Sequence, residues 1–153
     1  MTQYVKDMRK LIGTKPLLLC GASVIIFDTQ DRVLMLHRSD NDTWCFPGGA
    51  MDLGEKAEET AKREVYEETG LIINDLELFG VFSGEELHYI YPHGDEVYIV
   101  DVVYKARQYK GHVEIDNESK AFGFFDLSNL PQKISPPVIP IINTLLKQTN
   151  EIK

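Results

Sequence analysis

The feature that most constrains this chain is a run of helix-forming residues that carries three closely spaced glutamates. Residues 54–69 contain no proline, and Gly70 supplies a stop signal directly after them, so the segment is predicted to form a helix. Glu64, Glu67 and Glu68 are spaced i, i+3, i+4, which places them on one helix face, within about 100° of arc. The sequence therefore predicts that three carboxylates converge on one side of a helix.

The apolar stripe of the same helix lies directly beside these carboxylates. On a helical wheel, Glu68 falls between Ala57 and Ala61. Like charges at this spacing cost an exposed helix only a few tenths of a kcal/mol, but near a low-dielectric core the repulsion grows severalfold unless a cation or a proton relieves it. A solvated acidic face is the usual meaning of a glutamate-rich helix, whereas the position beside the stripe favours a bound cation.

The type of cation and its partner follow from the ligand chemistry. Hard carboxylate oxygens without Cys or His partners favour Mg²⁺, with Mn²⁺ as a substitute. The formal net charge is −8, and nonspecific binding to nucleic acid depends on clustered Lys and Arg, so an anionic substrate needs a bridging cation. A metal of this kind offsets phosphate charge and orients an attacking water, which is the chemistry of phosphoanhydride cleavage.

Strands and helices interleave along the chain. Strands are predicted at 17–27, 33–38, 76–82, 87–91, 96–106 and 121–127, and further helices at 5–11 and 135–146. Turns at 28–31 and 92–95 predict two hairpins. The segment 97–104 is interpreted as apolar on both faces, which indicates a central strand covered by helices on each side. An α/β/α arrangement with a mixed sheet is therefore expected.

Length and composition bound the organisation of the chain. With 153 residues, a single domain over residues 1–153 is expected. No apolar run approaches the ~20 residues that cross a membrane, and the N-terminus lacks a secretory signal, so a cytoplasmic protein is expected. Cys20 and Cys45 are interpreted as reduced, buried thiols. The histidines show no short metal-ligand spacing, which argues against a zinc site.

The segment 49–71, GAMDLGEKAEETAKREVYEETGL, resembles the Nudix box. The matching positions are Gly49, Glu55, Arg63, Glu64, Val65, Glu67, Glu68, Gly70 and Leu71. The preceding WCFPGG and the later FGFFDL also resemble this family. The resemblance implies a Nudix α/β/α sandwich. It also implies a Mg²⁺-dependent pyrophosphohydrolase that converts a nucleoside diphosphate derivative, such as ADP-ribose or a nucleoside triphosphate, to a nucleoside monophosphate and a phosphorylated remainder.

The resemblance further implies roles for the residues of the box. Glu64, Glu67 and Glu68 are expected to bind the metal, together with the backbone carbonyl of Gly49. Arg63 is expected to be structural and to pair with box glutamates. Glu55 is the foremost of these, with a structural or weakly catalytic role.

The general base is left open between the box and the segment that follows it. Glu118 precedes the strand at 121–127, where many relatives supply an additional catalytic or metal-binding glutamate, although a solvated loop acid is the alternative. A base outside the helix keeps its basicity because it gives no lone pairs to the metal. Glu64 and Glu67 are the candidates within the box. Glu85 and Glu86 are weaker candidates.

The rest of the substrate site is indicated by aromatic and basic residues. Phe46, Tyr91, Phe82 and Tyr89 offer rings on which a base can stack, although core packing is the commoner fate of such side chains. Arg38 stands at a predicted strand end, where its guanidinium can hold phosphate oxygens. A surface ion pair between Arg38 and Asp40 is the alternative.

Three other functions are alternatives to hydrolysis. A non-catalytic Nudix domain that binds a nucleotide as a sensor or regulator is the main alternative, and the complete set of box acids argues against it. An isoprenoid diphosphate isomerase would need a cysteine that neither Cys20 nor Cys45 can be assigned to supply. A Ca²⁺ loop would alternate its acids along an Asp/Asn-rich segment. The expected partner is a small-molecule nucleotide, with 5′-triphosphate or capped RNA and a homodimer left open.

Overall fold

The computed structural model describes residues 1–152, and within them three α-helices and eight strands. The helices are α1 (Gln3–Ile12), α2 (Ala57–Thr69) and α3 (Ile139–Ile152). The strands are β1 (Leu17–Ile26), β2 (Val33–Arg38), β3 (Trp44–Cys45), β4 (Gly48–Ala50), β5 (Glu77–Phe82), β6 (His88–Ile90), β7 (Glu96–Ala106) and β8 (Ser119–Phe125). Single 3₁₀ turns occur at Glu85–Leu87 and Pro136–Val138.

The strands form two sheets. The larger sheet has the order β4-β1-β7-β5, and β6 also pairs with β7. Strand β1 runs parallel to β7, whereas β4, β5 and β6 pair antiparallel, so this sheet is mixed, as predicted. The smaller sheet is antiparallel, with the order β3-β2-β8. Strand β7 is central to the larger sheet, in agreement with its predicted position.

The hairpin predicted for β1 and β2 is wrong, because the two strands belong to different sheets. A single bridge between Phe27 and Val33 joins their ends. The carboxylate of Asp28 accepts the backbone N–H groups of Gln30 and Arg32, which tightens the turn. Both strands are buried along most of their length. Strand β1 pairs with β4 and β7, and β2 pairs with β3 and β8, rather than with each other. The hairpin predicted at 92–95 is present between β6 and β7.

Two apolar clusters lie on opposite sides of β1, because successive strand residues point to opposite faces. On one side, Val24 and Ile26 pack with α2 residues Ala61 and Val65. On the other side, Ile25 packs with α3 residues, including Ile141 and Leu145. Helices therefore cover both faces, and the predicted α/β/α architecture is confirmed.

The central helix is shorter at its start than predicted. It begins at Ala57, because Gly54 has a φ of 82° and residues 51–56 form a turned loop instead. The Glu59 carboxylate accepts the Lys56 N–H at the helix start. At the other end, Gly70 adopts the left-handed conformation with φ 74° and donates its N–H to the Tyr66 carbonyl, as its position predicted.

Three smaller expectations differ from the structure. Ser135 makes no side-chain cap, and the last helix begins at Ile139 after a 3₁₀ turn and ends at Ile152. Cys20 is exposed rather than buried. The apolar cluster under α2 includes Ala22, Val24 and Ile26 of β1 but does not extend to Cys20. Within residues 1–152, no helix combines the length and apolar character that crossing a bilayer requires.

Candidate active site

Residues from separate parts of the chain line one groove with a volume of about 860 Å³. Strand β4 and helix α2 supply the box residues. Helix α1, the segments that follow β2 and β6, and the loop before β8 also contribute, together with Leu19 of β1 and Val97 of β7. The groove-lining residues that the sequence had singled out are Gly49, Arg63, Glu64, Glu67, Glu68, Arg38, Tyr91 and Glu118. The fold therefore brings the predicted metal ligands and Arg63 of the box onto one surface with three of the residues predicted outside it.

Glu68 is the most buried acid of the groove, with 8% of the residue exposed. Its Oε1 accepts the backbone N–H of Gly48 at 2.8 Å. Burial raises the pKa of Glu68 well above its usual range, against the opposing Gly48 hydrogen bond, and the negative charges of Glu64 and Glu118 add to the rise. The carboxylate predicted beside the apolar stripe is therefore desolvated and surrounded by like charges.

The Glu64 carboxylate lies against the backbone of Gly49. A Cβ at position 49 would lie 2.6 Å from both carboxylate oxygens of Glu64, so any larger residue here would displace this carboxylate. Gly21 is needed for a related reason, since a Cβ there would lie 2.7 Å from the Gly49 carbonyl oxygen. Burial raises the pKa of Glu64, the Arg63 guanidinium opposes the rise, and the charges of Glu67 and Glu118 add to it.

Arg63 connects the acids of the box. Its Nε and Nη2 donate to the Glu55 carboxylate at 2.7 and 2.9 Å, and its Nη2 also donates to the Ala50 carbonyl at 3.0 Å. Its Nη1 donates to Glu64 at 2.8 Å and, at 3.3 to 3.4 Å, to the more exposed Glu67. The guanidinium holds the pKa of Glu55 down at about 2. Arg63 thus serves as an internal counter-ion that orients three glutamates.

The donor set fits a hard divalent cation that keeps part of its water shell. Glu64 and Glu68 are desolvated carboxylates of like charge, and the Cβ-free backbone of Gly49 lies against one of them. Across residues 1–152, no three His, Cys, Asp or Glu side chains form a ready-made cage. Mg²⁺ does not need one, since it binds through one or two carboxylates together with water and substrate phosphates.

Three groove residues outside the box were predicted from sequence, namely Arg38, Tyr91 and Glu118. Glu118 is exposed, its carbonyl accepts the Ser39 N–H at 2.9 Å, and its charge contributes to the raised pKa values of Glu64 and Glu68. Arg38 donates from Nε and Nη2 to both oxygens of Asp40, at 2.8 and 2.7 Å. The ion pair considered as the alternative for Arg38 is therefore present, and Arg38 nevertheless lines the groove.

A comparison with protein families decides the classification. The NUDIX domain family matches residues 18–145, which is most of the chain and includes every element from β1 to the first half of α3. This chain belongs to the Nudix family.

Individual Nudix relatives support the same assignment. ADP-ribose pyrophosphatase of Methanocaldococcus jannaschii is 34% identical over 110 residues, a match that covers 70% of this chain and 62% of the relative. The chain thus spans about three fifths of that protein. The crystal structure of a MutT Nudix hydrolase from Burkholderia pseudomallei superposes with a TM-score of 0.72 at 24% identity, covering 86% of this chain and 98% of that one. The crystal structure of a MutT protein from Bacillus halodurans superposes with a TM-score of 0.69 at 27% identity, covering 84% of this chain and 82% of that one.

A second, smaller cavity of about 130 Å³ adjoins the Nudix groove and shares Arg38, Gly48, Gly49 and Tyr91 with it. Phe46 and Tyr89 line only this cavity. The rings of Tyr89 and Tyr91 meet edge to face at 5.0 Å, whereas Phe46 is 4% exposed and also packs in the cluster under α3. Three of the rings considered for stacking therefore border one cavity. Phe82, Glu85 and Glu86 line neither space.

Asp101 lines the small cavity and was missed by the sequence analysis. It lies at the centre of β7, where it pairs with Gly21 of β1 and Phe82 of β5. The Ser23 hydroxyl is 2.9 and 3.0 Å from the two oxygens of its carboxylate. The interpretation of 97–104 as apolar on both faces was therefore wrong. The sequence signal that could have revealed this polar site is the single acid within VYIVDVVY.

Asp101 is expected to make the stability of this Nudix domain depend on pH. Burial raises its pKa from 3.8 to about 6, against the Ser23 hydrogen bond. The folded state then holds more protons than the unfolded state between about pH 4 and pH 6, so the free energy of unfolding falls as the pH rises through this window. The loss approaches about 3 kcal/mol above the folded pKa.

Urea unfolding of the wild type and of Asp101→Asn across this window measures the effect. The stability of the variant relative to wild type is expected to increase as the pH rises from about 4 to 7, because the amide has no proton to lose. A constant difference between the two proteins would show that Asp101 titrates with an ordinary pKa.

Proposed function

We propose that this chain is a divalent-metal-dependent pyrophosphohydrolase that cleaves the diphosphate linkage of a nucleoside diphosphate derivative. The observation that carries the proposal is the arrangement on α2. Glu64 and Glu68 are desolvated there, Glu67 lies beside them, and the Gly49 backbone closes against Glu64. Such an arrangement is costly without a cation and suits a ligand that brings its own phosphate oxygens.

The metal would be held by Glu64, Glu67 and Glu68 and by the Gly49 carbonyl. When bound, Mg²⁺ or Mn²⁺ offsets the charge of the diphosphate and polarises the bond that breaks. Arg63 keeps Glu64 and Glu67 oriented, since it donates to both. The arginine is itself anchored by Glu55 and the Ala50 carbonyl, so it acts as a positioning residue rather than as a contact to substrate.

Glu118 is proposed to act on the attacking water. It lines the groove from the loop before β8, on a different element from the box acids, and its charge reaches Glu64 and Glu68. A carboxylate in this position can accept a proton from water without giving lone pairs to the metal that the helix acids hold. The alternative role for Glu118 is to complete the shell of a second metal.

The small cavity is proposed to take the base of the nucleotide. Tyr91 borders both spaces, so a ring placed there keeps its phosphates within the groove. Phe46 and Tyr91 offer aromatic surface to any base. Arg38 stands between the two spaces, where its guanidinium can contact a phosphate oxygen while it remains paired with Asp40. ADP-ribose is a substrate to test because one relative is an ADP-ribose pyrophosphatase.

Product analysis tests the proposal. ADP-ribose, nucleoside triphosphates, nucleotide sugars, dinucleoside polyphosphates and 5′-triphosphate RNA are incubated with Mg²⁺ or Mn²⁺, and a matched set is incubated with excess chelator. A nucleoside monophosphate and a phosphorylated remainder are expected from at least one nucleoside diphosphate derivative, and only with metal. Inorganic phosphate as the first product from ADP-ribose, or undiminished turnover after exhaustive chelation, would contradict the proposal. Tight nucleotide binding without any turnover would favour the sensor function instead.

A further inference from the structure

We propose that Asp101 is the residue that selects the base, and that the base it selects has the hydrogen-bonding edge of guanine. This inference rests on the proposed function, because it assumes that the small cavity holds the base of a nucleotide substrate. It adds the specificity of the reaction, for which the box residues give no information.

Asp101 is placed to meet a ligand in the small cavity. Its neighbours across the sheet are Phe82 on β5 and Gly21 on β1, and Ser23 lies two residues further along β1 on the same face as Gly21. Gly21 has no side chain to pair with or shield the carboxylate. Ile99 of the same strand and Val138 of the last turn also border the cavity, so the carboxylate is a polar group within a partly apolar enclosure.

The hydrogen-bonding capacity of Asp101 is largely unused. An ionised carboxylate offers about four acceptor sites. In the described part of the chain its only hydrogen-bond donor is the Ser23 hydroxyl, which has one proton to share between the two oxygens. Arg38, the cation that lines the same cavity, has its Nε and Nη2 directed to Asp40. A ligand that brings two donors would therefore satisfy a group that the protein leaves underused.

The edges of the bases differ in the donors that they present to a carboxylate. Guanine offers two adjacent donors, the ring N1–H and the exocyclic N2 amino group, which match the two oxygens of an ionised carboxylate. Adenine and cytosine each place an amino donor beside a ring-nitrogen acceptor, which would face a carboxylate oxygen. Uracil and thymine place one N–H between two carbonyl oxygens. An acceptor-only group thus favours guanine over the other bases.

Asp101→Asn is the sharpest test, because it changes the pattern of donors and acceptors with little change in shape. The amide presents one acceptor and one donor. This pair complements the amino group and ring nitrogen of adenine, and it mismatches the two adjacent donors of guanine. For wild type at about pH 8, kcat/KM for GTP is expected to exceed that for ATP at least about 10-fold. In Asp101→Asn the ratio is expected to fall at least about 10-fold, mainly through the guanine nucleotide.

Binding gives a second measurement that does not depend on the metal. Calorimetric titration of the metal-free protein with GMP and AMP is expected to show the same preference in wild type and its loss in Asp101→Asn. Asp7→Asn is a matched control, since Asp7 lies on α1 and lines neither space. This control is expected to leave both the kinetic and the binding ratios unchanged.

The outcomes separate this inference from the proposed function. Equal wild-type turnover of GTP and ATP, or a ratio unaffected by Asp101→Asn, overturns the role of Asp101 while metal-dependent hydrolysis still stands. A wild-type preference for adenine that Asp101→Asn leaves intact overturns it as well. Absence of hydrolysis with every nucleotide and metal overturns the proposed function, and the GMP and AMP titrations then still decide whether Asp101 reads the base.

Discussion

Glu68→Gln is expected to lower kcat at least about 10²-fold while leaving the protein folded. The amide keeps an oxygen that can accept the Gly48 N–H, so the hydrogen bond at 2.8 Å survives the substitution. What is lost is the negative charge that the proposed metal requires. In the metal-free protein this charge destabilises the folded state, since burial raises the pKa of Glu68 well above its usual range. Thermal unfolding of the metal-free variant should therefore occur at a temperature no lower than that of wild type.

Two further variants place this result in context. Glu67→Gln is expected to lose at least about 10²-fold in turnover as well, but with little effect on stability, because the Glu67 side chain is 54% exposed. Glu58→Gln removes an exposed acid from the first turn of the same helix and should retain wild-type turnover. Wild-type turnover in both Glu67→Gln and Glu68→Gln would exclude them as essential ligands. A Glu68→Gln protein that fails to fold would refute the view that the charge there is only functional.

Glu118→Gln is expected to lower kcat at saturating metal at least about 10²-fold if Glu118 accepts the proton of the attacking water. The amide cannot act as a base, but its size and its neighbours remain the same. The backbone contacts of this residue, to Ser39 and to the Asp116 carboxylate, do not involve its side chain, so the loop should hold its position. A metal titration at each substrate concentration separates this result from a ligand role, in which the metal requirement rises and kcat recovers at saturation.

Glu114→Gln provides the matched control for this loop. Glu114 is exposed, precedes Glu118 by four residues and lines neither cavity. It should keep both kcat and the metal requirement of wild type. If Glu118→Gln changes neither parameter, the base lies within the box, and Glu64 and Glu67 become the residues to test.

The central helix was predictable because its signals are local. The i, i+3, i+4 spacing and the glycine stop depend only on residues within 54–70, and the burial of Glu68 followed from its place on the wheel beside Ala57 and Ala61. The start of the helix was less predictable, since the backbone at Gly54 turns with a positive φ. The ends of a helix depend on such single conformations more than on composition.

Long-range pairing was not predictable in the same way. Strands β1 and β2 are apolar on both faces, and an apolar run does not specify which partner it will pair with. The hairpin was inferred from the turn at 28–31 that joins the two strands. The Arg38 ion pair with Asp40 was foreseen only as an alternative. Asp101 was overlooked because the strand around it is apolar. A single acid in the middle of such a strand is costly to bury unless it has a hydrogen-bond partner or a ligand, so its presence was itself a signal.

The pairing of strands across the chain has a consequence for how this domain can be divided. The larger sheet joins β1 to β7, and the smaller sheet joins β2 to β8, so each combines an early strand with one about 80 residues later. A fragment ending soon after α2 contains the whole box but neither partner strand, and its apolar strand edges would remain open. Such a fragment should not fold by itself. Two complementary fragments cut at the exposed turn at 92–95 should regain activity only on association, so the domain is suited to reporting on the proximity of two fused proteins.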